Sequence, residues 1–109
     1  MTVTAKCLLE AKYAENAQTT QYTAPAGMRT IIDKFTAYSL AGGTLSAALV
    51  PSGGAAGVSN AQVVKTLTAN ETYTFPELVG QILNTGDFVS TLAGAASTVV
   101  IRISGREVS

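Results

Sequence analysis

Apolar and polar residues alternate with a period of two along most of this chain, and turn residues break the alternation roughly every 8–14 positions. In Ala5–Ala14, residues Ala5, Cys7, Leu9, Ala11 and Tyr13 share one face of a strand and Lys6, Glu10 and Lys12 the other; only Leu8 is out of phase. The same segment is made of good helix formers, with Lys6 and Glu10 at i,i+4 spacing, but period outweighs propensity, so a strand is predicted. Glu15–Ala17 turns the chain, and Thr19–Thr23, rich in Thr and Tyr, reads as a second strand. Ala24-Pro25-Ala26-Gly27 is a turn, because Pro fixes φ and Gly permits positive φ. Arg29–Leu40 is the longest predicted strand. It has Ile31, Phe35 and Ala37 on one face and Ile32, Lys34, Thr36 and Tyr38 on the other; Asp33 interrupts the first face, which suggests a strand end or edge.

Ala41-Gly42-Gly43 makes a hairpin turn, and Thr44–Val50 returns with Leu45, Ala47 and Leu49 toward the core. Pro51–Asn60, PSGGAAGVSN, is an uncharged Gly/Ser/Ala loop. Gln62–Thr68 is a strand, Ala69–Glu71 a turn, and Thr72–Phe75 begins another strand. Pro76 suits the first position of a helical turn, and Leu78, Val79, Ile82 and Leu83 then recur at a spacing that lets one short turn cap the core. Asn84–Asp87 is a Gly-containing corner. Phe88–Ala93 and Ser97–Ser104 close the series, the latter with Val99, Ile101 and Ile103 inward. About eight short strands with Gly/Pro turns and no long helix predict an all-β antiparallel two-sheet sandwich, jelly-roll-like, with a small closed barrel as the other arrangement. The 109 residues suffice for one domain, 1–109, with 1–4 as a possible N-terminal arm.

Composition adds one unusual fact. Hydrophobic residues make up 47% of the chain, as in an ordinary globular protein, but charged residues only 13%, about half the usual share. A free monomer keeps itself soluble with a charged coat, so the deficit suggests a surface partly covered by partners, as in a homo-oligomer, dimer or trimer. The competing reading is that Thr, Ser, Asn and Gln provide the solvated face. Net charge is zero and no run of Lys or Arg exists, so the sequence offers no handle for nucleic acid or an anionic membrane. Phe35–Val64 carries no charge, yet Gly42-Gly43, Pro51 and Gly53-Gly54 interrupt it, which argues against a membrane span. No signal peptide is predicted, because Glu10 ends the short apolar run after Lys6, and a soluble protein made in a cytoplasm is expected.

The chemistry available to the chain is narrow. It has no His and a single Cys, which excludes Ser–His and Cys–His nucleophiles, imidazole metal sites, disulfides and cysteine-based zinc sites. Cys7 reads as a small buried hydrophobe. A glycosidase pair among the seven carboxylates would need a cleft and stacking aromatics, and the chain has no Trp. Asn84–Asp87 offers a single carboxylate, too little for calcium, and Ser52-Gly53-Gly54 lacks the Lys and helix of a phosphate loop. No enzyme, cofactor or metal is expected. Tyr13, Tyr22, Tyr38 and Tyr73 are possible sugar-stacking faces, though nothing clusters them along the sequence.

Two stretches carry a resemblance. One is YTAPAGMRTIIDKFTAYS at Tyr22–Ser39. The other is Leu67–Val108, with its three alternating runs, Pro-led apolar turn and Asn-Thr-Gly-Asp corner. Together they cover over half the chain and resemble the small β-sandwich structural proteins of tailed-phage virions, of the capsid decoration (cement) type. That resemblance implies a non-enzymatic protein on the outer capsid surface, bound across neighbouring copies of the major capsid protein. The alternatives are a small tail, neck or baseplate protein and a lectin-like receptor-binding module. The candidate contact residues are Met1, Thr2, Val3 and Thr4, as an arm preceding the first strand, and Ser52, Gly53, Gly54, Val58 and Asn60 of the uncharged loop.

Overall fold

The computed structural model describes residues 2–57 and 60–109, so Met1 and Val58 lie outside the described residues. Nine strands are present among them: β1 (Val3–Tyr13), β2 (Thr19–Thr23), β3 (Arg29–Ser39), β4 (Gly43–Val50), β5 (Ala61–Leu67), β6 (Glu71–Tyr73), β7 (Ile82–Leu83), β8 (Phe88–Ala93) and β9 (Val99–Val108). They form two antiparallel sheets. The first has the order β1-β9-β3-β6, with β7 also pairing β3, and the second β2-β8-β4-β5. Taken as two pieces of one strand, β6 and β7 reduce the count to eight, four per sheet. Every connection except β4–β5 then crosses from sheet to sheet, which is the strand order of a jelly roll. The expected sandwich is therefore found; the separate sheets keep their edge strands, so the barrel is set aside.

The inner faces bury Ile32, Phe35, Ala37, Leu45, Ala47, Val89, Ala93, Val99, Ile101 and Ile103. Phe75 closes one side, its ring 5.0 Å from Phe35 and 4.8 Å from Tyr73. The segment expected to form a helical turn is a run of overlapping turns, in which Leu78 N–H donates to Phe75 (3.0 Å) and Val79 N–H to Pro76 (3.3 Å). Leu78 and Leu83 are buried there as expected, but Val79 and Ile82 face outward, because Ile82–Leu83 turns into a strand paired with Thr30–Ile31.

Two expected faces are corrected by bulges. In β1 the register against β9 slips between Cys7 and Leu9 and again before Lys12. Leu8 is thereby buried, while Cys7 is only half-buried and Tyr13 is exposed. In β3 the slip falls between Ile32 and Lys34, so Thr30 and Ile32 point inward before it and Phe35, Ala37 and Ser39 after it. Asp33 is the bulged residue in mid-strand, not at a strand end. An extra residue reverses the side-chain parity, which is how one strand keeps both Ile32 and Phe35 in the core.

β9 continues past Ser104 to Val108, beyond its expected end. Gly105 makes this possible, since a β-carbon there would lie 2.2 Å from the Ile31 carbonyl oxygen. The extension carries the carboxylate of Glu107 into the sandwich. It accepts from the Tyr22 hydroxyl (2.5 Å) and from Lys6 Nζ (3.4 Å), while Tyr22 also bonds Thr30 Oγ1 (2.8 Å). Four strands from both sheets meet in this cluster, and among the described residues no buried side-chain polar atom lacks a partner. On the opposite side, Lys65 of β5 sits 4.8 Å over the Tyr73 ring and 3.9 Å from Glu71. A lysine from an edge strand thus places its ammonium at each open side of the sandwich.

Candidate interaction faces

The two sheets divide the charged residues very unequally. β1 carries Lys6, Glu10 and Lys12; β3 carries Arg29, Asp33 and Lys34; β6 carries Glu71; β9 carries Arg102, Arg106 and Glu107. The second sheet holds one charge, Lys65, at its edge and turned to Tyr73. On the outer face of the first sheet, Arg106 grips Asp33 through Nε (3.0 Å) and Nη2 (2.9 Å), and this bond raises the guanidinium pKa above its ordinary value. Arg29, Lys34 and Arg102 lie exposed beside it.

The outer face of the second sheet alternates with the core positions and presents Ser46, Ala48 and Val50 from β4, Phe88, Ser90 and Leu92 from β8, and Ala61, Val64 and Thr66 from β5, where a bulge at Gln62 shifts the register. Ala48 and Val50 are buried without belonging to the core. The Pro51–Asn60 connection accounts for this: Gly54 sits against Val50, and Gly57 shares a hollow of about 210 Å³ with Gln18, Ser46, Ala48, Val64 and Leu92. Among the described residues Val64, at 65% exposure, is the most exposed large apolar side chain on this face. Among the described residues no charged side chain lines the hollow.

The predicted contact residues behave differently from one another. Thr2, Val3 and Thr4 are not a free arm. Thr2 exchanges hydrogen bonds with Ser109 (2.9 and 3.1 Å), and Val3 and Thr4 pair with Val108 and Glu107 inside β1. Their pairing holds them in the first sheet as part of its edge strand. Ser52, Gly53 and Gly54 form an exposed turn closed by Gly54 N–H to Pro51 (2.9 Å). That turn is tied to the Asn84–Asp87 corner: Asp87 accepts from the backbone N–H of Ser52 and of Asn84, both at 3.0 Å. Two features far apart in sequence thus make one surface. Asn60 spends its amide inside the loop, donating to Ala55 O (2.8 Å) and accepting from Gly57 N–H (3.0 Å), so it fixes the loop shape.

The carboxylates are spread out and, Glu10 apart, bound to backbone or neighbouring side chains. Thr68 N–H donates to Glu71 (2.7 Å), which lowers the Glu71 pKa, and the Tyr73 hydroxyl donates to Glu77 (2.9 Å). Glu15 is lowered by Gln21 first and Lys12 second. Among the described residues no three His, Cys, Asp or Glu groups gather to hold a metal. Two tyrosines do come together: Tyr13 and Tyr38 both pair with Val100, one on each side of β9. The charge-free face had a signal in the sequence, the run Phe35–Val64, which supplies β4 and much of β5. The tyrosine pair had none, because it exists only through the third strand between them.

Searches against protein-family models, curated proteins and solved structures each return no match.

Proposed function

We propose that this protein is a non-enzymatic structural component of a tailed-phage virion, a capsid decoration protein that lays the outer face of its second sheet on neighbouring major capsid subunits. The observation that carries the reading is the one-sided distribution of charge. Interface cores are depleted in charged residues, because each buried charge costs desolvation that its partner must repay. A face of Ser, Ala, Thr, Val, Leu and Phe meets that condition, and the charged first sheet keeps the opposite side solvated. The jelly-roll strand order suits the reading, as does the resemblance of Tyr22–Ser39 and Leu67–Val108 to decoration proteins.

Contact through faces fits better than contact through strand edges. Every edge is blunted. β1 is bulged and carries Lys6 and Lys12; β2 is short and bulged; β5 carries Lys65; and the β6–β7 edge is split by the Pro76 turn. These are the devices that prevent edge-to-edge pairing. Modest face contacts repeated around a symmetric shell give large avidity, and binding only to the assembled shell stabilises it by mass action. A small tail, neck or baseplate protein would use the same face on a different surface.

The test is solution mass by light scattering, followed by co-sedimentation with empty capsid shells and, separately, with tail tubes. The expected result is a defined homo-oligomer that pellets with shells at a saturating ratio, and whose Val64→Glu variant stays in the supernatant. Saturable binding to tubes alone would move the reading to the tail. A monomer that ignores both would overturn it.

A further inference from the structure

We propose that Tyr13, Val100 and Tyr38 form a binding slot for a single neutral sugar ring on the outer face of the first sheet. The register places Tyr13 of β1 and Tyr38 of β3 opposite the same β9 residue, Val100. Neighbouring strands lie about 4.8 Å apart, so the two tyrosines stand about 9.6 Å apart at the backbone, with a short aliphatic side chain as the floor between them. The three residues line one hollow of about 170 Å³ together with Leu40, Ser97 and Thr98. A hollow of that size suits one ring and not an oligosaccharide.

The character of the walls selects the ligand. Tyr13 is 56% exposed and Leu40 68%, so two of the largest apolar exposures on the molecule fall in this one place. Concentrated exposed apolar surface with polar groups at its rim marks a binding site more often than scattered single residues do. The Tyr38 hydroxyl donates to Asn70 Oδ1 (3.1 Å), which fixes that ring. Ser97 adopts φ +57°, a left-handed conformation rare for a residue other than Gly, and Thr98 Oγ1 holds the same loop by donating to Ala95 O (2.8 Å). Among the described residues no charged side chain lines the hollow, which leaves a charged ligand without a counter-charge there. A pyranose fits this set: its C–H face stacks on an aromatic ring, and its hydroxyls meet the Ser, Thr and Tyr hydroxyls.

The methyl glycosides of glucose, galactose, mannose and N-acetylglucosamine are titrated into ¹⁵N-labelled protein and followed by chemical-shift change, with no capsid present. At least one is expected to bind in the millimolar range and to shift Tyr13, Tyr38, Leu40, Ser97, Thr98 and Val100 together. Tyr13→Ala and Tyr38→Ala should each weaken binding about two- to tenfold, Tyr13→Phe should keep it, and Val64→Glu on the other sheet should leave it unchanged. Tyr13 is exposed, so its variants stay informative even if Tyr38→Ala perturbs the fold. No shift with any glycoside, shifts outside the slot, unaltered binding by Tyr13→Ala, or a stronger response to tetramethylammonium or a proline-rich peptide would overturn the assignment. Because shells are absent, its failure leaves the assembly reading standing, and the reverse holds too.

Discussion

The two sheets of this sandwich meet the same requirement on their inner faces and opposite ones outside. Inside, each supplies a close-packed apolar layer, Phe35 and Ile103 from one, Leu45 and Val89 from the other. Outside, the first is long-stranded and charged, with Arg106 locked on Asp33, while the second is almost free of charge and partly roofed by its own loop. A core cannot create that difference, because the outer residues do not touch it. In the assembly proposed above, the first outer face stays toward solvent and the second is laid on the capsid, and the charge distribution is what supports that assignment.

The most severe way to break the comparison is through the shared core. Phe35→Ala on the first sheet is expected to cost about 3–5 kcal/mol and Leu45→Ala on the second about 2–5 kcal/mol. Urea unfolding should show one transition for both, since neither layer is stable without the other; two separate transitions would show that the sheets are independent. Next is Gly105→Ala, which would drive a β-carbon into the Ile31 carbonyl and cost about 1–3 kcal/mol or more, read as a lower urea midpoint.

Tyr22→Phe tests the polar tie between the sheets. Burial first, and the bond to Glu107 second, push the Tyr22 phenol up to about 12 from 10.0. A raised folded-state pKa contributes stability that is fully present below pH 10 and is lost as pH climbs toward 12. The variant should be less stable by about 1–2 kcal/mol at neutral pH and lose most of this alkaline decline, measured by thermal melting across pH 8–12. The paired outer-face variants sharpen the comparison directly. Val64→Glu and Lys34→Glu should each change stability by no more than about 0.5 kcal/mol, yet only the first should weaken shell binding, about tenfold or more. The smallest effect is expected from Asp33→Asn, whose exposed ion pair is screened by solvent; its urea midpoint should match the parent's within error in high salt.

Most of the fold was legible because period-two alternation and Gly/Pro turns survive in a single sequence. The faces of β1 and β3 were not, because a bulge reverses parity without altering composition. Yet the out-of-phase residues, Leu8 and Asp33, are the ones at the slips. A residue that breaks an otherwise regular alternation is therefore better read as a bulge than as a strand end. The loop was recognised as a surface feature, but the role of Ser52 depended on Asp87, which sequence order does not place beside it, and that of Asn60 on the fold of the loop back to Ala55. Thr2–Thr4 read as an arm for a similar reason, since the residues they pair with, 107–109, are about a hundred positions away.

That distant pairing governs when the protein becomes a protein. β9 is the last of the nine strands and stands between β1 and β3 in the first sheet. During synthesis the first eight strands emerge while the middle of that sheet is still missing, so β1 waits unpaired for a partner about ninety residues away. Folding is therefore compressed into a late, nearly all-or-none event, and until β9 arrives the nascent chain exposes apolar inner faces that chaperones would have to shield.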